Sequence, residues 1–442
     1  MATHPDYAVT KGEGRRLRLL FLAWDFPPFQ ASGSVRTRNI AKYLARLGWE
    51  VTVVTPHPSL WRNVEDPQSV TAELEREGIR RILTGHQWRF LFCSPNPLIC
   101  WDQGLGWFVG GIVRRIARYL DIDDVGIGWV KPAERACSTL TAKDVDVILA
   151  SGPPFASFIL ARRLSNRLDR PYVLDYRDPW IRNPRSRLLS LSTVIPEEAE
   201  LVTESSAVTV VSNSLLDGKL NIGSKLYVIT NGFDREEMAQ VKPYDFGHFA
   251  IVYAGSFYLP ERTLTPVMEA LRRLKETEIG RNVAWYFHYY GAQEDHVREQ
   301  AERFGVMEQV VLHGQVPRAK ALSAIRGAGV AVVITSVLDD ATPEVKGIVT
   351  GKLFEPLGLG TPTLLVAPRG SFVETIIKTT GLAGVFTGSD IEGMVSFLRD
   401  AMRGRAPQPK NPAAYAWPNI ARKLNAILRE AVERGNKRKV LS

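Results

Sequence analysis

The sequence predicts an α/β protein made of two doubly wound, Rossmann-like domains in tandem. Three observations lead there. Short aliphatic runs alternate with helix-period segments along almost the whole chain. The alternation stops in a polar stretch, 231–247, and then restarts. At 442 residues the chain exceeds what one hydrophobic core usually supports.

In chain order, "LRLLFLAW" (17–24), "VTVVT" (51–55), "VDVILAS" (145–151), "YVLDY" (172–176) and "AVTVVS" (207–212) read as strands. Amphipathic stretches such as "SVRTRNIAKYLARLG" and "PFASFILARRLSNRL" lie between them as helices. The second series runs "FAIVYAGS" (249–256), "VAWYFHYYG", "QVVLHG", "GVAVVIT" and "TPTLLVA". Strands this apolar belong to parallel sheets covered on both faces. "NGFDREEMAQVKPYDFG" (231–247) carries Gly and Pro and is expected to link the domains. The expected boundaries are 1–235 and 246–412, with a last helix, 413–442, docking apart from the second sheet. In tandem domains of this kind ligands bind beyond the carboxyl ends of the strands, which places the expected site in a cleft.

Composition narrows the class. Apolar residues make up 45% and charged residues 23%, as in globular proteins. The net charge is +9, with 30 Lys/Arg against 25 Asp/Glu up to residue 235 and 26 against 22 beyond it. The excess is therefore spread and forms no basic block, and no nucleic-acid-binding motif is present. An enzyme of anionic ligands, or a protein resting on an anionic membrane, fits this charge. Cys93, Cys100 and Cys137 show neither CxxC nor metal-like spacing, so a reducing, cytoplasmic setting is expected. The N-terminus lacks an apolar signal core, and no run of about 18 apolar residues occurs.

The candidate chemistry sits where strands end. After the first strand, "WDFPPFQASGSVRTRNI" places Gly33 and Ser34 at a helix start, suited to an anion or a polyhydroxyl ligand. Arg36 and Arg38 follow, either as ligand contacts or as solvated helix residues. "SGPPFAS" repeats the device with Ser151 and Gly152, and "DYRDPW" adds Asp175, Arg177 and Asp178. A buried carboxylate needs a partner, and Arg177 is the expected one for Asp175. In the second half Gly255 closes a strand, Ser256 follows, and Arg262 stands at the mouth of the next helix, where it could clamp a diphosphate. His313 and Gly314 of "HGQVP" turn after another strand, placed to offer main-chain groups to a flat base. In "GIVTGKLFEPLGLGTPTLLVA" Lys352 and Glu355 are spaced for one helix face. For metal, the single tempting pair is Asp144 and Asp146, and it reads as a strand start; no metal is expected.

These segments together resemble a retaining family-4 glycosyltransferase with the GT-B fold. "FPPFQASGSVR", "SGPPFAS…PYVLDYRDPW", "NGFD", "YAGSFY…ER", "HGQVP" and "GKLFEPLGLGTPTLL" carry the likeness over nearly the whole chain. It implies an N-domain for the acceptor, a C-domain for a UDP- or GDP-linked sugar, and a final helix crossing back to the N-domain. It puts Glu355 on the ribose hydroxyls, Arg262 on the diphosphate and Gly33 in the acceptor-side loop. The family's first glutamate falls on Gly347, and the basic residue after the loop glycine falls on Ser256, which leaves Lys352 as the replacement charge. Arg262, Lys352 and Asp178 are the catalytic candidates. No resident cofactor is expected.

"LGWFVGGIVRRIARYL" (105–120) has an apolar side and an arginine side, either an interfacial helix or a packed one. The first reading favours a lipid-linked or glycan acceptor, as in polysaccharide or glycolipid assembly. The sequence is also compatible with two rival functions. One is a nucleotide-sugar epimerase or hydrolase, for which His313 is the one histidine near a site loop. The other is a non-catalytic binder of anionic polymers.

Overall fold

A computed structural model describes residues 15–61, 64–87, 126–180, 191–213, 223–381, 383–407 and 409–441. Cys93, Cys100 and the 105–120 segment lie outside the described residues. The chain divides into two compact units. One comprises Met1–Val211, Leu216–Ile229 and Ala421–Ser442, and the other Ser212–Leu215 and Thr230–Ile420.

The first unit carries seven parallel strands: β1 (Arg18–Ala23), β2 (Glu50–Pro56), β3 (Arg80–Thr84), β4 (Val147–Gly152), β5 (Tyr172–Tyr176), β6 (Ala207–Val210) and β7 (Leu226–Val228). Their order is β3-β2-β1-β4-β5-β6-β7. β1, β4 and β5 are sequestered on both faces, and Phe21, Leu22, Val147, Ile148, Leu149 and Val173 are fully buried. That explains their unbroken apolar sequence. Helix Ala156–Leu168 packs Ala156, Phe158, Leu160, Ala161, Leu164 and Leu168 inward, the three- and four-residue spacing of one helix face. It stops where Asp169 turns left-handed at φ 51°.

The second unit holds six parallel strands: β8 (Phe249–Ala254), β9 (Trp285–Tyr290), β10 (Val310–Leu312), β11 (Val330–Ile334), β12 (Thr363–Val366) and β13 (Ala383–Phe386). Their order is β10-β9-β8-β11-β12-β13. One core packs Ile251, Phe287 and Val332 against Leu271, Leu274 and Leu398. Another packs Val333 and Leu365 against Leu353, Phe354 and Leu357.

The polar segment 231–247 is a structured part of the second unit. Asp234 caps helix Arg235–Gln240 through the Glu236 amide, and Phe233 and Met238 are buried. Both press on helix Phe354–Leu359 at Gly358, where an added Cβ would stand 2.6 Å from the Phe233 ring. The C-terminal helix Trp417–Leu441 begins in the second unit, where the Trp417 amide donates to Phe233 O at 3.0 Å. From Ala421 onward it belongs to the first, where Asn425 Oδ1 accepts from Trp49 Nε1 at 2.8 Å.

Both sheets reverse their winding at one place, between β1 and β4 and between β8 and β11. At such switch points the loops leaving adjacent strands diverge and open a crevice beyond the strands' carboxyl ends. Gly33, Gly152 and Arg177 lie at the first of these places, and Gly255 and Lys352 at the second. Among the described residues no helix is long and apolar enough to cross a membrane.

Candidate functional site

In the first unit, three loops meet at the carboxyl ends of β1, β4 and β5, and Arg177 ties them together. Its Nη1 donates to Asp25 Oδ2 at 2.8 Å, Nε donates to Gly152 O at 3.3 Å, and Nη2 donates to Pro153 O. The guanidinium lies over Gly33, where an added Cβ would stand 1.4 Å from Nη1. Gly33 thus makes room for Arg177, and the bare backbone of this loop is covered by a side chain.

Arg36 and Asp175 correct two expectations. Asp175 is fully buried, and its partner is Arg36 rather than Arg177: Nε and Nη2 reach the two carboxylate oxygens at 3.0 and 2.6 Å. Ser151 Oγ and Thr209 Oγ1 donate to the same carboxylate at 2.9 and 2.8 Å, and Arg36 Nη2 also donates to Ile229 O. Burial alone would raise the Asp175 pKa, but the guanidinium and the hydroxyls hold it below the ordinary range. Arg36, Ser151 and Asp175 therefore form the floor of the site, and Arg36 is neither solvated nor open to a ligand. Arg38 lies away from it, paired with Glu73 and Glu65. Gly152 faces the Phe155 and Phe158 rings, and Ser34 is 3% exposed. Asp178 is half-buried and makes no hydrogen bond or ion pair among the described residues.

In the second unit Gly255 ends β8 with φ +148°, a conformation that favours glycine. Lys352 lies directly over it, with Nζ 1.5 Å from the position an added Cβ would take. The same ammonium is 5.7 Å from the Tyr253 ring centroid. Arg262, 4% exposed, closes the loop through paired main-chain bonds with Tyr258, and its guanidinium stands 5.2 Å from the Tyr258 ring. Burial raises the Tyr253 hydroxyl pKa while the nearby Arg262 charge lowers it, so both cations border Tyr253. The loop is braced from β9: Tyr289 Oη donates to Gly255 O at 3.0 Å, and Gln293 Oε1 accepts from the Phe257 amide at 2.7 Å. Ser256 is exposed.

Lys352 and Glu355 do not share one helix. Lys352 is in a 3₁₀ turn, Gly351–Leu353, capped by Thr350, and Glu355 is in the first turn of helix Phe354–Leu359. Glu355 pairs with Arg318, which also holds Glu237 at 2.8 Å. Burial would lower the Arg318 pKa, but the two carboxylates more than offset it and hold the charge firmly. A small pocket lined by Val252, Ala254, Ile325, Lys352, Glu355 and Pro356 opens at this place. His313 and Gly314 follow β10, with His313 stacked on Tyr290 at 4.1 Å and Gly314 at φ +65°. Gly347 ends the short helix Pro343–Lys346.

Sequence reasoning passed over Asp25, Arg318 and Tyr289. Arg318 carried a signal, since it immediately follows "HGQVP" at a helix start. Asp146 and Asp144 stand at the other end of the first sheet. Asp146 accepts from the Arg18 amide at 2.8 Å and pairs with Arg15, and Asp144 accepts from Thr141 Oγ1 at 2.6 Å. Cys137 is buried, and its thiol is pushed up to about 11 by that burial.

Residues 33–232 match the model of a glycosyl transferase 4-like domain. No curated protein matches the chain at the sequence level. Among solved structures, sucrose-phosphate synthase from Thermosynechococcus elongatus is similar at 13% identity and TM-score 0.54, covering 96% of this chain and 99% of that one. Anabaena HepE in complex with UDP and glucose is similar at 14% identity and TM-score 0.52, with 96% and 99% covered. The N-terminal domain of Candida albicans trehalose-6-phosphate phosphatase gives 13% identity and TM-score 0.61, with 95% and 98% covered. By its architecture the chain has the GT-B fold, and its residues 33–232 are similar to a glycosyl transferase 4-like domain.

Proposed function

We propose that the chain is a glycosyltransferase moving a sugar, as a hexosyl group, from a UDP- or GDP-linked donor to a glycan or lipid-linked acceptor. In this reading the second unit holds the donor and the first the acceptor, the anomeric configuration is retained, and no metal takes part. The observation that carries it is the convergence on Gly255: Lys352 lies over the glycine, Arg262 closes its loop, and Glu355 opens the next helix. The similar Anabaena HepE, solved with UDP and glucose, supports a nucleotide-sugar donor.

The chemistry follows from charge. As the anomeric C–O bond breaks, its electron pair stays on the diphosphate, and fixed cations aimed there lower the barrier. Arg262 supplies a fork and Lys352 a point charge. Glu355, oriented by Arg318, accepts from the ribose hydroxyls, and the His313–Gly314 turn meets the base. The acceptor hydroxyl oxygen bonds the anomeric carbon from the face the diphosphate leaves, and its proton departs with the phosphate. Asp178 accepts a hydrogen bond from an acceptor hydroxyl. A cytoplasmic setting with peripheral contact at an anionic membrane completes the proposal, supported by the +9 charge and the 105–120 pattern.

The test is sugar transfer in excess EDTA. Turnover is expected near the rate with magnesium, and Arg262→Ala is expected to lower it by about two to three orders of magnitude. Arg262→Lys should restore only part, because a point charge lacks the bidentate fork. Complete, reversible loss in EDTA beside a nearly normal Arg262→Ala enzyme would reject the assignment.

A further inference from the structure

Three histidines of the second unit form a chain, of which the proposed transfer uses only the turn at His313. His248 precedes β8, His288 is in β9, and His313 follows β10. His248 Nε2 is 2.9 Å from His288 Nε2, and His288 Nδ1 is 3.0 Å from His313 Nε2. His288 is 4% exposed, and both of its ring nitrogens are thus engaged by histidines. The rings are roughly parallel, at 8° and 22°. Phe246 packs on His288 at 4.5 Å, Tyr286 packs on His248, and Tyr290 packs on His313. The charged groups acting on His313 are Glu294 and Lys320. Among the described residues, the titratable groups acting on His288 are His313 and His248, and burial is what acts on His248.

A neutral imidazole carries one N–H, and each contact needs one donor and one acceptor. Only two arrangements satisfy both contacts. In one, His288 donates to His248 and accepts from His313, which leaves His313 Nδ1 as an acceptor. In the other, His248 donates to His288, which donates to His313, and the His313 proton then sits on Nδ1. A protonated His248 must donate from Nε2, so only the second arrangement survives. Both outer rings cannot be charged at once, because two donors would then face a His288 that still carries a proton.

We propose that His288 and His248 are positioning residues for His313, and that protonation of His248 fixes the His313 tautomer presented to the nucleotide at the Gly314 turn. The ligand half rests on the reading of that turn as a nucleotide contact. Supporting the relay, burial first, and then its two neighbours, push His288 down to about 4, so it stays neutral while the outer rings titrate.

Burial holds both outer rings below the ordinary histidine value, so the test is imidazole ¹⁵N NMR of the full chain between about pH 4.5 and 8, with His248→Phe as the comparison. In the wild-type chain the His313 resonances should move to the Nδ1–H tautomer as His248 titrates. In His248→Phe that step should vanish, and His313 should titrate at higher pH. Independent titration of His313 in both proteins would overturn the relay. UDP and GDP affinities are then measured over the same range. The affinity of the bound nucleotide should change by roughly two- to tenfold with pH, the scale of one hydrogen bond, and the change should be lost in His248→Phe. A coupled titration with identical pH profiles of binding in the two proteins would overturn the ligand half. Failure of both nucleotides to bind at any pH would overturn the reading of the turn, whereas the NMR result judges the relay by itself.

Discussion

At the scale of single residues, two of the buried carboxylates of the first unit, Asp175 and Glu198, have opposite fates. Asp175 has a guanidinium and two hydroxyls, and is held ionised. Glu198, 2% exposed, has no cation beside it among the described residues; burial pushes it up to about 7, with the Tyr176 hydroxyl pulling the other way. Because its folded value lies above the unfolded one, Glu198 contributes stability that is full below about pH 4 and lost as pH rises through 7. The loss should be roughly 3 kcal/mol, and Glu198→Gln should remove it, flattening the denaturant midpoint between pH 5 and 8. An unchanged pH dependence in that variant would show Glu198 to be ionised throughout. For Asp175 the expected result is the reverse. Arg36→Met should cost about 3–5 kcal/mol by leaving a buried charge unpaired, and Arg36→Met with Asp175→Leu should recover much of it in urea unfolding. No residue type or spacing distinguishes Arg36 from Arg177 as the partner, since that choice depends on which loop lies over which strand.

At the scale of elements, the central strands were legible because burial on both faces leaves an unbroken apolar code. The edge strands β3, β7 and β13 were not. "RRILT" and "LYV" are short and only partly buried, and "AGVF" contains a glycine, so neither period nor composition marks them. Segment 231–247 reads as a linker because its one short helix buries only Met238, with Phe233 buried just before it. The glycines at strand ends were legible as close approaches, but not what approaches: Arg177 at Gly33 and Lys352 at Gly255. This yields a prediction for the β8 loop. Gly255→Ala should displace the Lys352 ammonium and strain a φ of +148°, lowering diphosphate affinity in a thermal-shift titration more than affinity for the nucleoside alone. Equal losses for both ligands would show Lys352 to act elsewhere.

At the scale of the whole molecule, two parallel sheets with one switch point each were implied by the restart of the strand–helix pattern, and the structure bears this out. Which residues gather at each switch point was legible only in part. Gly255, Arg262, Lys352 and Glu355 are 100 residues apart at most along the chain, and the β8/β11 crossover brings them to one sheet end. In the proposed function this end of the second unit binds a nucleoside diphosphate. Calorimetric titration of the full chain with UDP, GDP, ADP and their sugars tests it most directly. One nucleotide should bind at a single site with a Kd of about 1 μM to 1 mM, and Glu355→Ala should weaken it by about 1–3 kcal/mol with the fold intact. No heat of binding from any of them at millimolar concentration, or an affinity untouched by Glu355→Ala, would contradict the account.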